Sequence, residues 1–212
     1  MLQRSDKARG VQTYVNRLVR NMQQEYVGNG GASADVRAVL ANLRKCADPA
    51  HTDWLAAGAV IFDAWPEDML GDPEHDSRLV KAITTALGLY AVHQQSKDYG
   101  VAQLRKEEGE YYPISFGKAC QFIAEGSDED KGVVRRLNAA ENAPTFEGTA
   151  WYLRALIMLM RSTEHPIALD YGRLARDLYL MQFPDSRGAV FQRWSMDYHY
   201  RQSQRNAESS NK

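Results

Sequence analysis

The chain has 212 residues and a formal net charge of −1, with 44% hydrophobic and 25% charged residues. These values are typical of a globular protein with one large domain or two small helical lobes. A near-neutral total argues against a protein that binds DNA through its overall charge, although positive charge can still be concentrated on one face. The two cysteines, Cys46 and Cys120, lack metal-ligand spacing and are typical of a reducing cytoplasm.

The N-terminus and the apolar segments also predict a cytoplasmic protein. The first residues are charged and amphipathic, and they lack the apolar core of a secretory signal. No apolar run approaches the roughly 20 residues that are needed to cross a bilayer. We therefore expect no membrane partner.

Helical periodicity dominates residues 1–100, which we expect to form an N-terminal helical lobe. The predicted helices of this lobe begin near Val11, Ser33, Asp53 and Ser77. Ser33 and Asp53 are typical helix caps, Ser77 begins its helix, and the glycines of residues 28–31 end the first helix. Residues 63–76 are acidic and contain two prolines and a glycine, which predicts a surface connection.

Residues 101–113 are rich in charged residues and contain a glycine, which predicts a mobile loop between two lobes. Residues 114–200 are predicted to form a C-terminal helical lobe with a basic face, and residues 201–212 a polar tail. The helices of this second lobe are predicted near Ser115, Arg135, Arg154, Asp170 and Val190, and Ser115 and Asp170 are predicted to cap theirs. We find no strand pattern and no clean repeat, so the prediction is an all-α compact bundle of eight to nine helices in two lobes.

The segment Thr149–Ser162 is apolar nearly all round, yet it carries Arg154 and, two turns later on the same face, Arg161. A helix that is apolar on every side is predicted to be buried. A guanidinium there must be paired or must face a functional surface, because an unpaired buried charge costs several kcal/mol.

Cationic side chains recur throughout the C-terminal half, at Lys118, Arg135, Arg136, Arg154, Arg161, Arg173, Arg176 and Arg193. Arginine suits phosphates because its planar fork donates two hydrogen bonds and its charge is permanent. Tyr171, Tyr179 and Trp194 are interleaved with these arginines, as a groove for stacked bases would require. This pattern favours a polyanionic ligand.

Intramolecular pairing is the alternative explanation for these arginines, and the candidate acids are Glu141, Glu147, Asp170 and Asp177. The first helix carries a similar set, Lys7, Arg9, Arg17 and Arg20, which is either a solvated polar face or a second docking surface.

Motifs for catalysis or metal binding are missing from the sequence. The five histidines form no i, i+4 pair and none is next to a cysteine. Ser115 lacks the preceding glycine of a nucleophile elbow, and no phosphate-binding glycine motif is present. We therefore assign no catalytic residue, no metal and no cofactor. A helical hydrolase whose carboxylates are far apart in sequence remains an alternative.

Five segments, taken in order along the chain, resemble those of a known family. They are LGLYAVHQQS at 87–96, ISFGKAC at 114–120, VVRRLNAAENA at 133–143, WYLRALIMLMRS at 151–162 and IALDYGRLARDLYLMQFPDSRGAVFQRWSMDY at 167–198. In this order they resemble the CasB family, the small subunit of the type I-E CRISPR surveillance complex called Cascade. The resemblance covers residues 35–198. Many relatives have arginine where this chain has Lys118, and a lysine there weakens only the bidentate contact.

The resemblance implies an all-α subunit without a catalytic site or a cofactor. Two copies are expected head to tail in a complex with the other Cascade subunits and crRNA. They are expected to stabilise the R-loop, mainly by holding the displaced non-target strand as single-stranded DNA and also by steadying the target strand. The implied nucleic-acid-binding residues are Lys118, Arg135, Arg136, Arg154, Arg173 and Arg176.

A helical protein–protein adaptor without a nucleic-acid role is the main competing hypothesis. In such a protein the arginines would form intramolecular salt bridges, and the chain would not bind single-stranded DNA in a salt-dependent way.

Overall fold

The computed structural model describes residues 2–28, 31–48, 52–104, 112–124 and 130–209. These residues form ten α-helices: α1 (Arg4–Val27), α2 (Ala34–Lys45), α3 (Trp54–Phe62), α4 (Glu67–Leu70), α5 (Ser77–Gln94), α6 (Phe116–Ala124), α7 (Asp130–Asn142), α8 (Phe146–Ser162), α9 (Tyr171–Leu180) and α10 (Pro184–Ser209). Strand-like pairing in this part of the chain is limited to one bridge between Ala102 and Leu169. The all-α prediction is confirmed.

Helix starts follow local sequence signals. The predicted caps accept hydrogen bonds from backbone N–H groups three residues later, at Ser33 (3.1 Å), Asp53 (3.3 Å), Ser115 (3.2 Å) and Asp170 (2.8 Å). Each bond satisfies a donor that has no partner inside the helix. Pro184 begins α10, where the missing N–H of proline is not needed.

Three segments differ from the prediction. The acidic connection of residues 63–76 contains the short helix α4, which raises the helix number to ten, because Leu70 is fully buried and anchors a single turn. Val101 and Ala102 are buried at the start of the predicted loop, where the Gln23 amide bonds both backbone groups of Ala102. Helix α10 continues to Ser209 through most of the predicted tail.

One hydrophobic core includes residues from both halves of the described chain, because α9 packs against both α1 and α5. Buried polar groups tie the helices together within it. The Tyr171 hydroxyl lies 2.9 Å from Nδ1 of His93, and the Tyr14 hydroxyl donates to the Ile61 carbonyl over 2.7 Å. The division into lobes with a loop at residues 101–113 stays a prediction, and residues 105–111 lie outside the described part.

Candidate nucleic-acid interface

A cavity of about 320 Å³ lies where α6, the start of α9 and the middle of α10 meet, and we call it the α6–α10 groove. Two predicted site residues, Lys118 and Arg173, line it together. Its wall also contains the exposed or half-buried side chains of Tyr112, Phe122, Met196 and Tyr200. The groove thus combines two cations and the Asp197 carboxylate with aromatic and apolar surface.

The close approach of α6 and α10 depends on Gly117. A Cβ atom at this position would clash with the backbone of Trp194, so only glycine allows the two helices to pack at this separation. The Phe116 and Trp194 rings, whose centroids are 4.9 Å apart, fill the space on one side. This packing fixes Lys118, the next residue of α6, at the edge of the groove.

Lys118 is half-buried, with its ammonium held at the groove wall. Its Nζ atom lies 4.7 Å from the centroid of the Phe122 ring and donates a hydrogen bond to the Gln121 side chain. A cation over an aromatic ring is stabilised by the negative face of that ring. The geometry therefore orients the positive charge while part of the side chain stays accessible.

Arg173 crosses the groove from the first turn of α9. Its guanidinium bonds the Asp197 carboxylate and the Pro113 carbonyl, both at 3.2 Å. The side chain remains 22% exposed. An arginine has five donors, so this arrangement leaves it able to bond a phosphate oxygen as well.

The exposed aromatic residues of the groove are Tyr112 and Tyr200, each 66% exposed, whereas Phe122 is half-buried. Sequence analysis missed both. It predicted stacking on Tyr171, Tyr179 and Trp194, and this prediction is wrong, because each of these rings is only about 1% exposed. Their hydroxyl and indole N–H groups form hydrogen bonds with buried side chains, so the three are core residues. Tyr200 follows Met196 by four residues in α10, and this spacing was the available signal for an exposed face.

The arginines of α7 lie outside the groove. Arg135 is exposed, and Arg136 is half-buried and donates to the Gly132 carbonyl one turn earlier over 3.0 Å. Arg176, on α9, is also absent from the groove lining, and its buried Nε atom has no hydrogen-bond partner among the described residues.

Helix α8 is not buried on all sides, so that prediction is wrong. Trp151 is 63% exposed and Met158 is 45% exposed, because no described helix covers this face. Arg154 lies between them, with Nη1 3.4 Å from the Met158 sulfur. Arg161 donates to the Gln95 side chain over 2.9 Å. Both residues are half-buried at the surface and not in the core.

Intramolecular pairing accounts for some cations and not for others. Asp177 accepts from Arg193 over 2.9 Å, and Asp197 accepts from Arg173. On α1, Lys7 and Arg9 bond Asp76 and Asp6. Among the described residues, however, no carboxylate lies within 4 Å of five arginines: Arg135, Arg136, Arg154, Arg161 and Arg176. The pairing alternative therefore does not explain these five.

Burial raises the pKa of the Asp177 carboxyl above its usual range. The carboxylate faces the Trp194 indole N–H at 2.8 Å and Arg193, not a second carboxylate. Two facing acids with raised pKa values, which would favour a hydrolase, are not found in the described part of the chain. No group of three metal-ligating side chains is found there either, and none of its helices is long and apolar enough to cross a membrane.

Comparison with known proteins assigns the chain to a class of CRISPR-associated proteins. The family model described as "CRISPR-associated protein Cse2" matches residues 39–199. The chain therefore belongs to the Cse2 family, and this membership indicates a small subunit of Cascade.

A solved structure supports this assignment. The crystal structure of CasB from Thermobifida fusca is 27% identical and superimposes with a TM-score of 0.68, covering 90% of this chain and 98% of that one. No curated protein sequence matches the chain at a significant level.

Proposed function

We propose that this chain is a non-catalytic, cytoplasmic small subunit of a type I-E Cascade that stabilises the R-loop. In this proposal the displaced non-target strand runs along the α6–α10 groove as single-stranded DNA. The observation that carries the proposal is the joint presence of Lys118, Arg173 and two exposed tyrosines in that groove, in a chain of the Cse2 family.

The chemistry of the groove suits a strand that must be held without regard to its sequence. Base pairing to the guide RNA reads the sequence, so the protein needs only contacts to phosphates and to base faces. Lysine and arginine provide the former, and tyrosine rings provide a platform that accepts any base. Exchange of a DNA duplex for an RNA–DNA duplex is nearly balanced, so such contacts are sufficient to shift it.

Weak binding by the isolated chain is expected from its net charge of −1. If one copy neutralises about 4 phosphates of a single strand, log K changes with log salt with a slope of about −2.8. A fourfold rise in salt then weakens binding about 50-fold. Within the complex, the other Cascade subunits, crRNA and a second copy raise the effective concentration of DNA at the groove.

The arginines outside the groove extend the proposed surface. Arg135, Arg136, Arg154 and Arg176 have no carboxylate within 4 Å among the described residues, so they are available to a polyanion. A helical adaptor whose arginines are consumed by salt bridges does not account for them. The target strand, which this subunit also steadies in our proposal, is a candidate ligand for this second set.

R-loop formation by the reconstituted complex tests the proposal. Lys118→Gln combined with Arg173→Gln should lower the yield of complete R-loops, whereas Lys45→Gln, an exposed lysine of α2 paired with Asp53, should not. Charge reversal at Arg135 or Arg136 should also lower the yield and leave assembly intact. If only the α7 variants reduce R-loop formation, the strand does not follow the groove; if neither set does, the proposal is wrong.

A further inference from the structure

Helix α3 exposes an apolar surface that the nucleic-acid role does not use. None of its nine residues is charged, and Ala57 and Ile61 form its buried side. On the outside Leu55 is 94% exposed, Trp54 is 49% exposed and Phe62 is 40% exposed. We call Trp54, Leu55, Ala59 and Phe62 the α3 face. Contiguous exposed apolar side chains of this kind are typical of an interaction site.

The spacing of the α3 face is that of a helix that docks into a groove. Leu55, Ala59 and Phe62 follow one another at i, i+4 and i+7, which places them on one side of the helix. The helix is already fixed in the free chain, because the Tyr14 hydroxyl bonds the Ile61 carbonyl and Asp53 caps the first turn. Docking therefore requires little further ordering of the backbone.

Carboxylates border the α3 face. Asp53 precedes the helix and Asp63 follows it, while Glu67 and Asp68 are exposed on the adjacent α4. The cations of the adjoining segments are Arg17, which donates to the Ala64 carbonyl, Lys45, which is paired with Asp53, and Arg44, which precedes Lys45 in the last turn of α2. The acids outnumber the cations, so this border is negative.

The negative border selects among ligands. It repels the phosphates of nucleic acid and of anionic lipids. It also opposes symmetric pairing of two copies through this face, because a two-fold interface would bring the same acids together. The complementary surface is an apolar groove bordered by lysine and arginine.

We propose that the α3 face inserts into such a groove on a different protein subunit of Cascade. This inference rests on the proposed role of the chain as a Cascade subunit, and it assigns α3 to assembly and the α6–α10 groove to DNA.

Two substitutions test the α3 face without weakening the helix. Leu55→Asp places a carboxylate in the first turn, and Asp63→Lys places a cation at the C-terminus, and both charges are favourable to the helix dipole at those ends. Ala189→Asp, at an exposed position of α10, is the matched control for an added charge. The full-length variants are titrated, in the absence of DNA, against crRNA-containing complex purified without this subunit.

We expect Leu55→Asp to bind that complex at least about 30-fold more weakly, the loss typical of a central anchor residue. Asp63→Lys should bind about 5-fold more weakly at low salt, and the difference should vanish at high salt. Ala189→Asp should bind like the unmodified chain.

Binding of Leu55→Asp within about twofold of the unmodified chain would overturn the inference. So would conversion of an isolated dimer to a monomer by Leu55→Asp, because the occupant would then be a second copy. Failure of the unmodified chain to bind would overturn the inference and Cascade membership together. Failure of the R-loop proposal is distinguishable from these outcomes, because a defect in R-loop formation is measured only when DNA is added to the assembled complex.

Discussion

Two surfaces of this chain expose aromatic and apolar side chains, and they differ in the charges around them. The α6–α10 groove places Tyr112 and Tyr200 next to Lys118 and Arg173. The α3 face is bordered instead by acids such as Asp63. Apolar exposure alone therefore does not define the ligand. The neighbouring charge does, because cations favour phosphates and carboxylates repel them.

A substitution at Gly117 should disrupt the α6–α10 groove and leave the α3 face intact. Gly117→Ala should lower the free energy of unfolding by about 3 kcal/mol, because the added methyl group clashes with the Trp194 backbone and forces α6 away from α10. Urea unfolding measures this loss. Gly188→Ala is the control, since a Cβ at Gly188 meets nothing within 4 Å and should stabilise α10 by about 0.5 kcal/mol. Equal stability of the two variants would contradict the account.

A second test addresses the helices that join the two surfaces, since α5 packs against both α3 and α9. Burial lowers the pKa of His93 from 6.5 to about 3. The unfolded chain therefore binds a proton that the folded chain excludes, and stability is lost as the pH falls below 6.5. Between pH 7 and pH 5 the loss should be about 2 kcal/mol.

His93→Gln isolates this contribution, because glutamine does not titrate. Urea unfolding at the two pH values should show a smaller acid-dependent loss for the variant by about the same 2 kcal/mol. An identical loss in both proteins would mean that His93 accepts a proton in the folded state.

The exposed aromatic residues of the two surfaces should differ in their effect on DNA binding. Tyr112→Ala and Tyr200→Ala should each weaken binding to single-stranded DNA by about 1 kcal/mol, or roughly 5-fold, because each removes a stacking platform. Trp54→Ala on the α3 face is the matched control and should leave DNA binding unchanged. Fluorescence anisotropy with a labelled oligonucleotide of mixed sequence measures all three. If Trp54→Ala weakens DNA binding as much as Tyr200→Ala does, the neighbouring charges do not determine which of the two surfaces binds DNA.

The parts of the fold that depend on local chemistry were predictable from the sequence. The caps at Ser33, Asp53, Ser115 and Asp170 were predicted because their donors lie within three residues. The groove was predictable only in part. Lys118 and Arg173 were on the predicted list, but nothing in the sequence indicated that these two would meet and that Arg135 and Arg176 would lie elsewhere.

Exposure was the property that sequence analysis could not determine. Tyr198 and Tyr200 are two residues apart in α10, yet one is 1% exposed and the other 66%. The difference arises because only one side of α10 packs against α6. The exposure of Trp151 was not predictable for the same reason, since the sequence of an apolar helix does not indicate which of its sides a neighbouring helix covers.

The most direct test of the central claim is the salt dependence of single-stranded DNA binding by the full-length chain. Lys118→Gln combined with Arg173→Gln removes two phosphate contacts, so the slope of log K against log salt should become less steep by about 1.4. Lys45→Gln should keep the slope of the unmodified chain. An unchanged slope for the double variant would show that the α6–α10 groove does not hold the strand.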